Sequence, residues 1–306
     1  MKSVLVTGGA GFIGSHLVKS LVKSGVRVVV LDNLMRGNKI DPFYLKKIHF
    51  IKGDVRNPET VLNACKGVDT IFHFAAVLGV DIVADCPVDT METEILGLKN
   101  VTDAALSLGI EKIIYSSTSG VYGHSAIEKS FTETIQVDPR TSYAIAKRYN
   151  EIYLKALHEE KGIQSASLRL FNVYGPGQDN RMVIPRFMEQ AQSGEAITVF
   201  GDGSQTRDFT YIDDTIEACL RVAKKVKGCE VLNISNEEEV PILELAKTIL
   251  AKTKSKSEIH FIEAPKKRYD YEVERRVGNS KKLKELTGYK PKTTLSKGLD
   301  LLIKNQ

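Results

Sequence analysis

The sequence contains little cysteine and lacks the spacings by which cysteines hold metals. Its 306 residues include four cysteines, at positions 65, 86, 219 and 229. None of them forms a C-x-x-C pair, and none has a histidine nearby at metal-ligand spacing. We therefore expect no metal site, and we expect free thiols in a reducing cytoplasm.

Long apolar runs are also missing. No run approaches the length that would cross a bilayer, so no membrane segment is expected. The β-rich run Ser3–Thr7 has no basic and apolar regions of a signal peptide ahead of it, so secretion is not expected either.

The excess of positive charge is small, with a net charge of +5. This balance suits an anionic ligand without requiring nucleic acid. The Lys-rich segments 224–227 and 252–256 lie among helix-forming residues and are predicted to be solvated faces. No nucleic-acid partner is therefore expected.

Over residues 1–170 the sequence alternates short β-rich runs with longer helical stretches. Continuous apolar runs such as Val28–Leu31 are typical of strands buried on both faces. The alternation predicts an α/β fold, a Rossmann-type doubly wound parallel sheet with helices on both faces. The predicted strands are Ser3–Thr7, Arg27–Leu31, His49–Lys52, Thr70–Phe74, Lys112–Ser116 and Ser165–Leu170, and the predicted helices are Ser15–Ser24, Pro58–Cys65, Thr90–Leu108 and Ser142–Glu160.

Beyond residue 170 the alternation breaks down. The segment Gly201–Ser204 predicts a hairpin turn between strands Ile197–Phe200 and Arg207–Tyr211. We expect a dinucleotide-binding domain over residues 1–170 and a smaller C-terminal α/β substrate lobe over 171–306, with a segment near 207–235 returning to the first domain. Further helices are predicted at Ile184–Ser193, Ile212–Val226 and Ile242–Lys252.

A glycine loop joins the first predicted strand to the first predicted helix. Glycines at this place allow a tight turn and a close approach of backbone to pyrophosphate, while the helix N-terminus offers N–H groups. The second strand ends in Asp32 and Asn33, where an acid that binds adenosine ribose belongs. Asp32 would repel a 2′-phosphate and so favours NAD over NADP, although Arg36 could accept that phosphate. The alternative is a structural turn without cofactor. The loop residues predicted to contact NAD are Gly8, Gly11, Phe12, Ile13 and Gly14.

A second acidic position follows the third predicted strand. Asp54 could accept a hydrogen bond from the adenine amino group, with the Val55 amide helping. The competing interpretation is an Asx turn or a helix cap.

Tyr143 and Lys147 lie four residues apart on a predicted helix and so share one face. An ammonium near a phenol favours the phenolate and lowers the pKa of the tyrosine, and the positive nicotinamide of NAD⁺ would add to this. Such a tyrosine can take a proton from a substrate hydroxyl. The segment Tyr115–Thr118 ends a predicted strand, where open α/β sheets place their ligands.

Together these residues resemble the extended short-chain dehydrogenases/reductases, in particular the nucleotide-sugar epimerases and dehydratases. The resemblance covers nearly the whole chain. It rests on Thr7–Gly14, Asp32, Asp54-Val55, His73–Ala76, Ser116–Gly123, Tyr143 with Lys147, Arg169–Pro176 and Gly201–Asp214.

The resemblance implies roles for individual residues. Tyr143 would be the general base and acid, Lys147 would bind the nicotinamide ribose, and Thr118 would hydrogen-bond the reacting sugar hydroxyl. Cofactor contacts would come from Phe74, Ala75 and Ala76, and contacts to the substrate's diphosphate from Asn172, Arg207 and Arg268. Arginine suits phosphate through its forked donors, although Arg268 in a basic run could simply be solvated.

The resemblance also narrows the reaction. Its 4,6-dehydratases carry Asp-Glu directly after the catalytic Thr, and its UDP-glucuronate decarboxylases carry Glu at the position of Gly120. This chain has Ser119-Gly120 there. What remains is a 4-epimerase that oxidises the sugar at C4 and returns hydride to the other face, with NAD retained and a UDP-hexose as substrate.

Alternatives to this function stay open. A UDP-glucuronate 4-epimerase usually has Thr where this chain has Asn172, and a basic residue at the pocket-width position near Arg276 could restrict the pocket or reach an acidic sugar. A 4-ketosugar reductase would consume cofactor. From a different class, the chain could be a non-catalytic NAD-binding scaffold.

Two further expectations come from the helices. The family commonly has Asn at the position of Glu94, so Glu94 could pair with Lys147 or another cation, or face solvent. Helices Thr90–Leu108 and Ser142–Glu160 match those that form a four-helix dimer interface in the family, which implies a homodimer. An apolar stripe on such helices could equally be core.

Overall fold

A computed structural model describes residues 1–77, 83, 85–123, 130–263 and 273–304. Of the predicted site residues, Arg268 lies outside the described residues, and so does most of the loop that follows Val77. The strands are β1 Ser3–Thr7, β2 Arg27–Asp32, β3 His49–Lys52, β4 Thr70–His73, β5 Lys112–Thr118, β6 Gln164–Leu170, β7 Val173–Tyr174, β8 Ile197–Phe200, β9 Thr206–Asp208, β10 Thr210–Tyr211, β11 Cys229–Ile234, β12 Glu239–Pro241, β13 Ile259–Ile262 and β14 Arg275–Arg276.

Seven parallel strands form the central sheet in the order β11-β6-β5-β4-β1-β2-β3. The inner strands are buried on both faces, as Val4, Leu5 and Val6 of β1 are, which is why they are continuous apolar runs. The predicted α/β, doubly wound parallel fold is therefore confirmed. Strand β11 pairs with β6, so the chain comes back to this sheet after the C-terminal lobe has begun.

Helices cover both faces of the sheet, and standard signals mark their ends. Thr141 caps the helix that carries Tyr143 by accepting a hydrogen bond from the Ala144 amide, and Gly162 ends that helix at φ 75°. No helix among the described residues is long and apolar enough to cross a bilayer. The helices are α1 Phe12–Lys23, α2 Pro42–Leu45, α3 Pro58–Cys65, α4 Pro87–Leu108, α5 Ser142–Lys161, α6 Val183–Ser193, α7 Ile212–Lys225, α8 Ile242–Thr253, α9 Lys281–Thr287 and α10 Leu295–Lys304.

The predicted hairpin in the C-terminal part is wrong. Strand β8 pairs in parallel with β13, whereas β9 pairs with β12 and β14. The glycine turn is present, with φ 62° at Gly201 and 75° at Gly203. After the turn the chain does not run back along β8, because the carbonyl of Gly203 accepts a hydrogen bond from the Leu243 amide of α8. A turn signal specifies a change of direction but not the strand that the chain meets next.

Candidate active site

A cavity of about 410 Å³ opens at the carboxyl ends of β1 and β4. These two strands are neighbours in the sheet although β4 follows β3 in the chain. The strand order therefore reverses here, and such a switch point is where open α/β sheets bind ligands. The predicted site residues that line the cavity are Gly8, Gly11, Phe12, Ile13, Gly14, Asp32, Asn33, Val55, Phe74, Ala75, Ala76, Thr118, Tyr143 and Asn172.

The glycine loop leaves no room for side chains. Gly8 has φ 68°, and a Cβ on it would lie 2.6 Å from the backbone nitrogen of Ala75. A Cβ on Gly14 would lie 2.1 Å from the carbonyl oxygen of Gly8. The loop leads into α1, whose first turn carries no acidic residue and whose first N–H groups have no intrahelical acceptor. This bare, N–H-rich edge fits the pyrophosphate of a dinucleotide.

The carboxylate of Asp32 is held at the end of β2 by two backbone amides. Its Oδ2 accepts from the amide of Ala10 at 2.9 Å, and its Oδ1 accepts from the amide of Leu34 at 2.8 Å. Burial raises the pKa of Asp32, and both hydrogen bonds oppose that rise. Each oxygen keeps a lone pair for a ribose hydroxyl. Arg36 also lines the cavity and lies 4.0 Å from the carboxylate of Asp179.

Asp54 has the geometry of the competing interpretation, an Asx turn. Its Oδ1 accepts from the Arg56 amide at 2.8 Å, and its Oδ2 pairs with the Arg56 guanidinium at 2.8 Å. The guanidinium lowers the pKa of Asp54. The contact of Asp54 with adenine stays a prediction, while the neighbouring Val55 does line the cavity.

The structure brings Tyr143, Lys147 and Thr118 to one end of the cavity. Tyr143 lines it from the first turn of α5, and Lys147 lies fully buried behind it with Nζ 5.3 Å from the centre of the Tyr143 ring. Thr118 ends β5, and its Oγ1 accepts from the Gly120 amide at 3.0 Å. A hydroxyl that accepts one hydrogen bond can still donate its own hydrogen, so Thr118 can donate to a ligand.

Of the residues predicted to contact the substrate's diphosphate, Asn172 lines the cavity, whereas Arg207 is not among the described residues that line it. Asn172 has φ 28°, a region in which Asn is enriched, and its Nδ2 donates to the Asp208 carbonyl at 3.0 Å. Arg207 donates through Nη1 to the carbonyls of Thr206 and Val273. Arg276 lines the cavity and is the register partner of Arg207 in the β14–β9 pair. The structure thus brings the position of Arg276 to the cavity wall.

The sequence was compared with protein-family profiles, and the profile of the NAD dependent epimerase/dehydratase family matches residues 4–235. The chain belongs to this family. NAD is therefore its cofactor, and the cradle formed by the glycine loop and Asp32 fits it.

Relatives and solved structures extend the match beyond the profile. A UDP-N-acetyl-alpha-D-glucosaminuronate decarboxylase of Bacillus cytotoxicus is 35% identical over 97% of this chain and 95% of that protein. A UDP-glucose 4-epimerase of Thermotoga maritima, solved with UDP-glucose, has a TM-score of 0.92 at 33% identity and covers 99% of this chain and 97% of its own. A UDP-glucose 4-epimerase of Thermus thermophilus in complex with NAD has a TM-score of 0.90 at 31% identity, over 99% of this chain and 98% of its own.

In this member of the epimerase/dehydratase family the pKa of Tyr143 moves in the direction opposite to the prediction. Burial raises it well above its ordinary value, and the charge of Glu94 raises it further. The prediction counted the Lys147 ammonium and the positive nicotinamide of bound NAD⁺, but Glu94 Oε2 lies 2.9 Å from the Lys147 ammonium and offsets its charge. Of the possibilities stated for Glu94, the structure therefore shows the pairing with Lys147.

Sequence reasoning missed the polar groups behind this pair. The Asn150 side-chain amide donates to the Tyr115 hydroxyl at 2.8 Å and to the Glu94 carbonyl at 3.0 Å, and the Tyr115 hydroxyl donates to Glu94 Oε2 at 3.3 Å. His73 stacks on Tyr115 with ring centres 5.8 Å apart. Their only sequence signal is polarity inside otherwise apolar strands and helix faces, which does not name a partner.

A second missed group supports the strand that ends at Thr118. The buried Arg169 of β6 forms a two-pronged pair with Glu151 of α5, at 2.9 and 2.8 Å. Glu151 also accepts from the Ser117 hydroxyl at 2.6 Å. This ion pair holds α5, which carries Tyr143, against β5 and β6. The partners come from separate elements, so no local spacing predicts them.

Proposed function

We propose that this protein is an NAD-dependent nucleotide-sugar 4-epimerase that acts on a UDP-hexose. The observation that carries the proposal is the environment after Thr118. A Cβ on Gly120 would lie 3.3 Å from Thr118 Oγ1 and 3.7 Å from the Ala144 Cβ, so a residue here lies directly beside the reacting groups. In the dehydratases and decarboxylases that the chain resembles, carboxyl groups for the later steps stand at this segment. Here the segment is Ser119-Gly120, which brings none.

The proposed mechanism uses the geometry of the three residues at the cavity end. The chemistry that NAD supplies when bound is reversible hydride transfer at C4 of the sugar. Tyr143 takes the proton of the C4 hydroxyl as the carbon is oxidised, and returns it after the keto sugar has rotated to present its other face. Thr118 donates its hydroxyl hydrogen to the same oxygen. Lys147, fully buried behind Tyr143, orients the phenol, and its contact with the nicotinamide ribose stays a prediction.

The binding energy for this cycle comes from the nucleotide diphosphate. Asn172 and Arg276 line the cavity, Arg207 is the strand neighbour of Arg276, and we assign the diphosphate to these three residues together with Arg268. Anchoring of the diphosphate leaves the sugar loosely held, which a keto sugar needs in order to present its other face. Because Arg276 lines the cavity and could reach an acidic sugar, UDP-glucuronate stays an alternative substrate for the 4-epimerase.

A decarboxylase is the second candidate, because several relatives with 32–35% identity over nearly the whole chain carry that name. Loss of CO₂ from a 4-keto uronate does not in principle need a carboxylate side chain of the protein. The decarboxylase function therefore still competes with the epimerase function. Gly120 is the residue that argues against it.

The test is product analysis on UDP-, GDP-, CDP- and dTDP-sugars, including UDP-glucuronate, followed by NMR. We expect the C4 epimer of a UDP-hexose, with no net change in NADH absorbance. A pentose product with CO₂ would show a decarboxylase, and a 6-deoxy-4-keto product would show a dehydratase. Net oxidation of added NADH would show a reductase. A chain that retains NAD and turns over none of these sugars would support the scaffold.

We also propose a homodimer built on α4 and α5. Ile145, Tyr149 and Ile152 form a stripe along α5 at helical spacing and are 43%, 48% and 54% exposed, and Leu96 of α4 is 46% exposed. The stripe is therefore not core in the single chain. A continuous apolar face of this kind is typical of an interface between subunits.

Replacing Ile152 by Arg should convert the dimer to monomer. A charge in the centre of an apolar interface costs about 2 kcal/mol or more, which is roughly a 30-fold weaker dimer. Sedimentation velocity over a range of concentrations measures this. Phe261→Arg is the matched control, because Phe261 is 55% exposed on β13 in the C-terminal part. A wild-type chain that sediments as a monomer, or an Ile152→Arg variant that dimerises as well as Phe261→Arg, would exclude this interface.

A further inference from the structure

We propose that Glu94 is a positioning residue: its carboxylate holds Lys147 and offsets the positive charge that Lys147 would otherwise present to Tyr143. The inference rests on the proposed role of Tyr143 in proton transfer. Tyr143 and Lys147 then form a triad with Glu94, in which the negative charge of the carboxylate offsets the positive charge of the ammonium.

The contacts of Glu94 are all inside the protein. Its side chain and that of Lys147 have no exposed surface, and Glu94 Oε2 lies 2.9 Å from Lys147 Nζ and accepts from the Tyr115 hydroxyl. Gly97, one turn further along α4, lets that helix pack closely on Val55, since a Cβ there would lie 2.8 Å from Val55 Cγ2. Ions in solution screen a buried salt bridge only weakly, so the charge of Glu94 acts on its neighbours more strongly than an exposed charge would.

The other ionisable groups around this triad leave Glu94 as the partner of Lys147. Tyr115 of β5 is a neutral phenol whose pKa burial raises, and His73 of β4 is neutral because burial lowers its pKa to about 3. Glu151, one turn after Lys147 on α5, also favours the charged lysine, but its own carboxylate is paired with Arg169 of β6 and Arg148. Among the described residues, Glu94 is thus the carboxylate in direct contact with the Lys147 ammonium.

The consequence concerns the proton on Tyr143. A phenolate forms readily beside an isolated ammonium, but less readily beside an ammonium whose charge a carboxylate offsets. Burial and Glu94 both raise the pKa of Tyr143. Replacing Glu94 by a neutral residue of the same shape removes the carboxylate's repulsion and leaves Lys147 free to stabilise the phenolate. Burial also acts on the pair itself, raising the pKa of Glu94 and lowering that of Lys147, and the contact between the two groups opposes both shifts.

The experiment is a pH titration of Tyr143 in Glu94→Gln. The near-ultraviolet absorbance of tyrosinate is recorded in the chain with its NAD bound, and the same titration in a Tyr143→Phe background isolates Tyr143. We expect Glu94→Gln to move the midpoint of Tyr143 about 1–3 pH units below the wild-type value. Glu92→Gln is the matched control, because Glu92 is an exposed residue of the same helix and carries the same charge; its midpoint should equal the wild-type value. A midpoint that does not change in Glu94→Gln, or one that changes equally in Glu92→Gln, overturns the proposal.

A second variant covers the case in which Glu94→Gln does not fold, as judged by circular dichroism. Glu94→Asn is also neutral, and it is the residue that resembling proteins commonly have here, so the same downward shift is expected. Where turnover is measurable, the acid limb of kcat/KM should move to lower pH by the same amount. The titration needs no substrate, so it stands apart from the proposed function. If Tyr143→Phe keeps full turnover while the titration shifts, the role of Tyr143 is wrong and that of Glu94 towards its ionisation is right.

Discussion

Replacing Tyr143 by Phe should lower turnover by about 10²–10⁴-fold, the range that proton transfer by a positioned side chain contributes. The substitution removes only the hydroxyl, because the ring lies between the cavity and the buried Lys147 and keeps its packing. The glycine loop and Asp32 are untouched, so the variant should still purify with NAD or bind it with unchanged affinity. Rates come from the product assay above, and NAD content from absorbance of the released cofactor.

Tyr149→Phe provides the matched control for this prediction. Tyr149 lies on the same helix, is 48% exposed and stacks on Tyr153 with ring centres 6.1 Å apart, so loss of its hydroxyl should leave turnover unchanged. A Tyr143→Phe variant that turns over as fast as Tyr149→Phe would remove Tyr143 from the mechanism. A variant that loses both turnover and NAD would show that the hydroxyl organises the cofactor site.

Replacing Gly8 by Ala should weaken NAD binding by about 10²-fold or more. The new Cβ would meet the backbone of Phe74 and Ala75 at 2.6–2.7 Å, and backbone cannot move aside as a flexible side chain can. The ends of β1 and β4 would have to separate, which displaces the α1 N-terminus from the pyrophosphate. Hydrogen bonds to charged groups contribute about 1.5–3 kcal/mol each, so losing one or two of them accounts for this factor. Isothermal titration calorimetry with NAD measures it.

Gly25→Ala separates the clash from the backbone strain. Gly25 has φ 75°, close to the 68° of Gly8, but a Cβ there meets nothing within 4 Å. Both variants therefore carry the same cost of a non-glycine residue at positive φ, of about 1–2 kcal/mol, and only Gly8→Ala carries the clash. Equal NAD affinity in the two variants would mean that the loop does not approach the cofactor as the cradle suggests.

Sequence patterns predicted the elements of the central sheet because their signals are local. The strands at Ser3–Thr7 and His49–Lys52 and the helix at Pro58–Cys65 have the predicted bounds. Helix α1 begins at Phe12 and not at Ser15, because Gly11 acts as its N-cap and the glycine loop leads straight into it. The C-terminal hairpin failed for the opposite reason: the partner of β8 is β13, about 60 residues further along the chain, and no turn signal refers to it.

By itself, the sequence determined the type of fold, the family and the cofactor, because each depends on local signals: alternating strands and helices, glycines that leave room for phosphate, and an acid at the end of β2. It also predicted that Tyr143 and Lys147 act as a pair, since residues four positions apart on a helix share a face. Only the tertiary structure decided the charge of that pair. Glu94 is 53 positions before Lys147 in the chain, yet packing of α4 against α5 places their side chains 2.9 Å apart in a site without solvent. The same packing raises the pKa of Tyr143, whereas the sequence predicted a lowered one. The reason is that the electrostatic environment depends on the assembled core and not on any one segment.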